Sequence, residues 1–163
     1  MENHRHSHRH AQAQGDPSLN RTAWSATLHC LTGCAIGEVL GMVIGSALGW
    51  GNGATIALAV VLAFGFGYAL TIRPLLARGL SAKAAARLAF ASDTASIGVM
   101  ELVDNAIMVV IPGAMDAGLG STLFWGALGL SLAIAAIAAF PVNRWLIARG
   151  MGHAVVHAHH GHH

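Results

Sequence analysis

The chain has 163 residues, 55% of them hydrophobic and 10% charged, with a formal net charge of +2; its mean hydropathy is +0.58. A soluble domain of this size carries about 25% charged residues, so the composition excludes an ordinary soluble domain and points to a membrane protein. The length allows one bundle of helices and no second folded domain.

Residues 1–22 form a polar stretch in which His4, His6, His8 and His10 alternate with Arg5 and Arg9. With no apolar periodicity it is expected to be a disordered tail. It does not have the pattern of a signal peptide, because the apolar stretch that follows is too long and lacks a cleavage site.

The first predicted span, about 24–50, is WSATLHCLTGCAIGEVLGMVIGSALGW. At about 3.6 residues per turn, Cys30, Cys34, Glu38 and Met42 fall on one drifting stripe. Gly33, Gly37, Gly41, Gly45 and Gly49 form a second stripe beside it. A carboxylate inside a membrane helix is costly and usually faces a polar path or a bound ion. Glycines every fourth residue let another helix come close. The reading is one face for chemistry and one for packing, the latter expected to join copies of the chain as a homo-oligomer through Gly33, Gly37, Gly41 and Gly45. The two cysteines share a helix with Cβ atoms about 5–6 Å apart, too far for a relaxed disulfide, and are expected as thiols.

A Gly51–Gly53 turn leads to a second span, about 54–72, which Arg73-Pro74 is expected to end. A basic linker with Arg78, Lys83 and Arg87 precedes the third span, about 88–111, which stops at Pro112-Gly113. Asp93, Met100, Glu101, Asp104 and Met108 share one broad face of that helix. The fourth span, about 122–142, is expected to kink or end at Pro141. The segment from 150 to 163 is a second histidine-rich tail, leaving residues 23–149 as the transmembrane domain.

The nine Lys and Arg residues lie in the two tails and in the linker after span two; the connections 51–53 and 112–121 have none. The positive-inside rule then places both termini in the cytoplasm of a four-helix protein of the plasma (inner) membrane. Trp24 and Trp145 would mark one interface, Trp50 and Trp125 the other. The basic segments are juxtamembrane and suit anionic lipid rather than nucleic acid.

Glu38, Asp93, Glu101 and Asp104 are thus four of seven acidic residues expected inside the membrane with no Lys or Arg beside them. Isolated buried carboxylates take up protons or gather cations. Measured from Trp24 and Arg87, Glu38 and Glu101 lie at a similar depth, roughly 21 Å in, and Cys30 and Asp93 roughly 9 Å in. Facing one another in an up-down-up-down bundle, the two helices would form a ladder from Cys30/Asp93 through Cys34 and Glu38/Glu101 to Asp104 and Met108. His29 adjoins Cys30 but points about 100° away.

Thiolate, thioether and imidazole favour soft or borderline metals. The expected metal set is therefore His29, Cys30, Cys34, Glu38, Asp93, Met100, Glu101, Asp104 and Met108, with copper or zinc as the ion. The histidine tails would collect such ions. The leading expectation is a transition-metal channel or transporter. Rival readings are a metal- or haem-binding redox subunit, a proton-conducting carboxylate ladder, and a scaffold in which the carboxylates merely support helix contacts. No nucleotide-binding loop, hydrolase motif or nucleic-acid module is present, so an enzyme is the less favoured class.

The runs HCLTGCAIGE (His29–Glu38), SDTASIGVMELVD (Ser92–Asp104) and FPVNRWLIARGMGHAVVH (Phe140–His157) together resemble a prokaryotic membrane family known as domain of unknown function 4396. The resemblance covers about residues 24–157. It implies the four-helix unit with its intramembrane motifs. Some family members are labelled copper-related, which implies a soft-metal role for the cysteine helix.

Overall fold

The computed structural model describes residues 17–149, and the histidine-rich tails lie outside them. Among the described residues there are four helices and no strands: α1 (Pro17–Ala47), α2 (Asn52–Ala77), α3 (Ala82–Val110) and α4 (Thr122–Ala148). Short connections make successive helices antiparallel. α1 lies most extensively along α2 and α3 along α4; α1 also packs on α4 and α2 on α3, and α1 meets α3 across the centre. Helices α1, α2 and α4 are each long and apolar enough to cross a membrane. α3 is about 44 Å long at 1.5 Å per residue, but its buried Asp93, Glu101 and Asp104 lower its average hydropathy.

Several helix ends differ from the sequence reading. α1 begins at Pro17, within the stretch expected to be a disordered tail. Proline is well suited to a first helical turn, and Asn20 Oδ1 accepts a 2.7 Å hydrogen bond from Arg144 Nε of α4, tying this turn to the bundle. α2 continues through Pro74 to Ala77, and Leu75 after the proline is buried. α4 continues through Pro141 to Ala148. Each proline removes one backbone donor, a loss that packing beyond it offsets: Asn143, Leu146 and Ile147 are all buried. α3 starts at Ala82, six residues before the expected span, with Ser81 Oγ accepting from Ala84 N at 3.3 Å. The turns between helices use Gly49, Gly79 and Gly113, each at positive φ.

The glycine stripe determines how α1 and α2 pack. Gly33 rests against Gly67, Gly37 against Ala63, Gly41 against Ala59 and Gly45 against Thr55, so a Cβ on any of the four would overlap α2. The partner of this face is α2 of the same chain. The backbones of Gly33, Gly37, Gly41 and Gly45, expected to join copies of the chain, are thus covered within one bundle. Gly49 lies beyond the contact, with open space around it.

Several hydroxyl groups are satisfied locally or across helices. Thr22, Thr27 and Thr32 donate to the carbonyls of Ser18, Ala23 and Leu28 one turn back. Asn143 Nδ2 donates to Thr27 Oγ1 at 2.9 Å, joining α4 to α1 in the core, and Tyr68 and Thr94 hydroxyls meet at 2.8 Å between α2 and α3. The outside is apolar: Val61, Phe90, Leu102, Val109 and Ile137 are exposed. All four tryptophans are exposed as well. Trp24 stacks on Phe140 at 4.8 Å and Arg149 lies 4.1 Å over Trp145 at the end holding the N-terminus of α1. Trp50 and Trp125 stand at the other. The ends also differ in charge, because Arg21, Arg73, Arg78, Lys83, Arg87, Arg144 and Arg149 all flank the first.

Candidate functional site

The spacing of the polar residues on α1 and α3 turns their faces toward each other in the bundle interior. Cys30, Cys34 and Glu38 of α1 are buried, as are Asp93, Met100, Glu101, Asp104 and Met108 of α3. They meet in a sequence of levels along the bundle axis.

At the basic-flanked end, Cys30 lies within electrostatic reach of Asp93 and beside Ser96. Asp93 Oδ1 accepts from Ser92 Oγ at 2.6 Å, while Asp93 Oδ2 and Ser96 Oγ have no partner. One turn on, Cys34 Sγ approaches Met100 Sδ at 4.0 Å. Cys30, Cys34 and Met100 belong to one core cluster with Ala63, Ile97, Ala135 and Ala139, so two thiols and one thioether occupy the same apolar interior. Both cysteines are free.

The next level is carboxylate. Glu101 is within electrostatic reach of Cys34 and Asp104, and Glu38 within reach of Asp104 and Glu101. Cys34 stands within side-chain hydrogen-bonding range of Glu101, and Glu38 of Asp104, yet neither oxygen of Glu101 nor Asp104 Oδ2 makes a hydrogen bond of regular geometry. Asp104 Oδ1 accepts a 2.5 Å hydrogen bond from Ser131 Oγ of α4. Unpartnered buried carboxylate oxygens are costly to a fold, and here they gather on one axis. Above Asp104, Met108 joins a second core cluster with Ala114, Phe124, Ala127 and Leu128.

One sequence-predicted residue points away from this axis: His29 Nε2 meets Thr71 Oγ1 of α2 at 3.1 Å, on a different face of α1 from Cys30. Among the described residues, no three His, Cys, Asp and Glu side chains stand together in an arrangement that holds a metal ion; a sulfur group formed here needs the methionine as its third donor.

The sequence reading missed Ser131 and Met115. Ser131 is the one hydroxyl residue between 123 and 142, the apolar stretch of α4, and that rarity was the available signal. Met115 sits in the connection between α3 and α4, where no periodicity reports direction. Both border the chemistry in space: Ser131 through Asp104, and Met115 by lining a pocket with Glu38, Met42, Asp104, Asn105 and Met108.

The family model described as "Domain of unknown function (DUF4396)" matches residues 19–152. No curated protein and no solved structure matches the chain.

Proposed function

The chain belongs to the DUF4396 family, and from that premise we propose that it is an integral membrane protein that binds a transition-metal cation and passes it along the α1–α3 axis. In this reading all four helices cross the plasma membrane and both termini are cytoplasmic. The exterior of α3 supports a fourth crossing: between residues 88 and 110 its exposed positions are all apolar, among them Phe90, Leu102, Val109 and Val110. The basic end of the bundle supports the orientation through the positive-inside rule.

The observation that carries the proposal is the succession of buried sulfur and carboxylate groups along one axis, with carboxylate oxygens of Asp93, Glu101 and Asp104 left without a partner. Cys30, Cys34 and Met100 are the ligands at which the ion is selected. Asp93 lies on one side of them, and Glu38, Glu101 and Asp104 on the other, offering negative charge through an otherwise apolar interior. Thiolate and thioether donors suit copper(I). A structural zinc site has four ligands in a tetrahedron, and the sulfur group offers three donors. Copper(I) is therefore the ion this donor set favours over zinc. The deciding experiment is bound-metal analysis of the purified full chain: wild type retains copper, and the Cys30→Ser/Cys34→Ser variant folds but loses it. Equal copper in both would remove the sulfur site from the account.

A further inference from the structure

Beyond the sulfur pair, the end of the bundle away from the basic residues contains a pocket of about 20 Å³. It is lined by Glu38, Met42, Asp104, Met108 and Met115, with apolar walls including Phe124 and Leu128. The volume holds one water or one bare ion. Its methionines come from three separate parts of the chain: Met42 from α1, Met108 from α3 and Met115 from the connection before α4. Periodicity within one helix therefore does not account for their meeting. Its carboxylates are equally specific. Asp104 is 2% exposed and Glu38 5%, and Asp104 Oδ2 has no hydrogen-bond partner.

We infer that this pocket is a second metal site, a thioether–carboxylate seat for a soft monovalent cation of the copper(I) class. Thioether is a neutral, soft donor that holds copper(I) or silver(I) and discriminates against hard ions such as sodium, magnesium and calcium. The neighbouring carboxylates supply the charge that neutral sulfur lacks, and the apolar wall weakens competition from water. The site stands beside Asp104, at the far end of the carboxylate level from Cys30. Its role as the mouth of a path rests on the proposed function; its existence as a binding site does not.

The test uses the full chain in detergent micelles, labelled with carbon-13 at the methionine methyl groups and titrated with silver(I), a redox-inert probe of this class. The methyl signals of Met42, Met108 and Met115 are expected to shift together and to saturate with about one equivalent beyond the silver taken up at the cysteines. Met108→Leu preserves side-chain volume and therefore packing; in it, the shifts of Met42 and Met115 should need about tenfold more silver, the equivalent of one lost ligand. In Cys30→Ser/Cys34→Ser the three signals should still move, whether or not copper is retained at the cysteines. Signals that stay fixed while silver binds elsewhere, or that respond one at a time, overturn the site. A fixed methionine set alongside thiol-dependent copper binding would remove this inference and leave the proposed function standing.

Discussion

Cys34 and Met100, 66 residues apart in the chain, bring their sulfur atoms to 4.0 Å of each other in the bundle core. The contact joins α1 to α3, the two helices that carry the buried carboxylates Glu38, Asp93, Glu101 and Asp104. It marks where an apolar core gives way to acid. Cys30 and Asp93 lie on one side, and Glu38, Glu101 and Asp104 on the other.

Glu101 should be a residue that function retains at the expense of stability. Both of its oxygens are buried without a hydrogen bond of regular geometry, and replacing such a group by an apolar side chain of similar length removes an unmet desolvation cost. Glu101→Met is expected to stabilise the bundle by about 1–2 kcal/mol while reducing cation passage. Thermal unfolding in detergent, followed by loss of helical signal, measures the first effect. Lower stability in this variant would mean that Glu101 has a structural partner.

Gly37 is the tightest test of the α1–α2 contact. A Cβ there falls on the Ala63 backbone, which cannot rotate away. Gly37→Ala should cost about 1–3 kcal/mol, the range for overpacking, whereas Gly65→Ala, with open space around it, should cost little. Because the contact lies within one chain, detergent stability should fall and particle size on a sizing column should not change. A change of size with stability preserved would return the glycine face to an intermolecular role.

The Asn143–Thr27 bond joins α4 to α1 beyond Pro141. Thr27→Val keeps the shape but removes the acceptor, leaving the Asn143 amide unpaired. Hydrogen bonds between membrane helices contribute about 0.6 kcal/mol on average, and an unpaired buried donor costs more. A loss of about 1 kcal/mol is therefore expected, and a double-mutant cycle with Asn143→Ala should show the two positions to be coupled.

The sidedness of the bundle can be read with a membrane-impermeant thiol reagent on a background lacking Cys30 and Cys34. Asp116, whose Oδ1 accepts from Asn52 Nδ2 at 3.2 Å in the loops of one end, should react as Asp116→Cys from outside the cell. Lys83→Cys, at the basic end, should react only after permeabilisation. The reverse pattern would invert the orientation.

Much of this architecture was legible because its signals are periodic. Cys30, Cys34 and Glu38 share a stripe, and Asp93, Met100, Glu101, Asp104 and Met108 share a face; helical geometry alone turns each set inward. The glycine stripe was equally visible as a close-packing surface. Its partner was not, because spacing says that a helix approaches and not which chain supplies it. Pro74 and Pro141 suggested ends that the helices pass through, since one lost backbone bond is a local cost and the packing of Leu75, Asn143 and Leu146 is a tertiary gain. His29 was associated with Cys30 by adjacency, but residues next to each other on a helix point apart, and Thr71 of α2 lies where His29 points. Met115 gave no signal, because a loop residue has no period.

Cation flux through the full chain in liposomes tests the central claim most directly. Wild-type protein is expected to pass copper(I), supplied with a reductant, into vesicles containing a copper-sensitive dye. Glu38→Gln removes a charge while keeping shape, and should slow that flux by about tenfold or more, the scale of one charge-assisted interaction. Copper bound at Cys30 and Cys34 should remain in this variant. Copper flux equal to wild type in both Glu38→Gln and Cys30→Ser/Cys34→Ser, or proton flux without any copper flux, would contradict a metal path along α1 and α3.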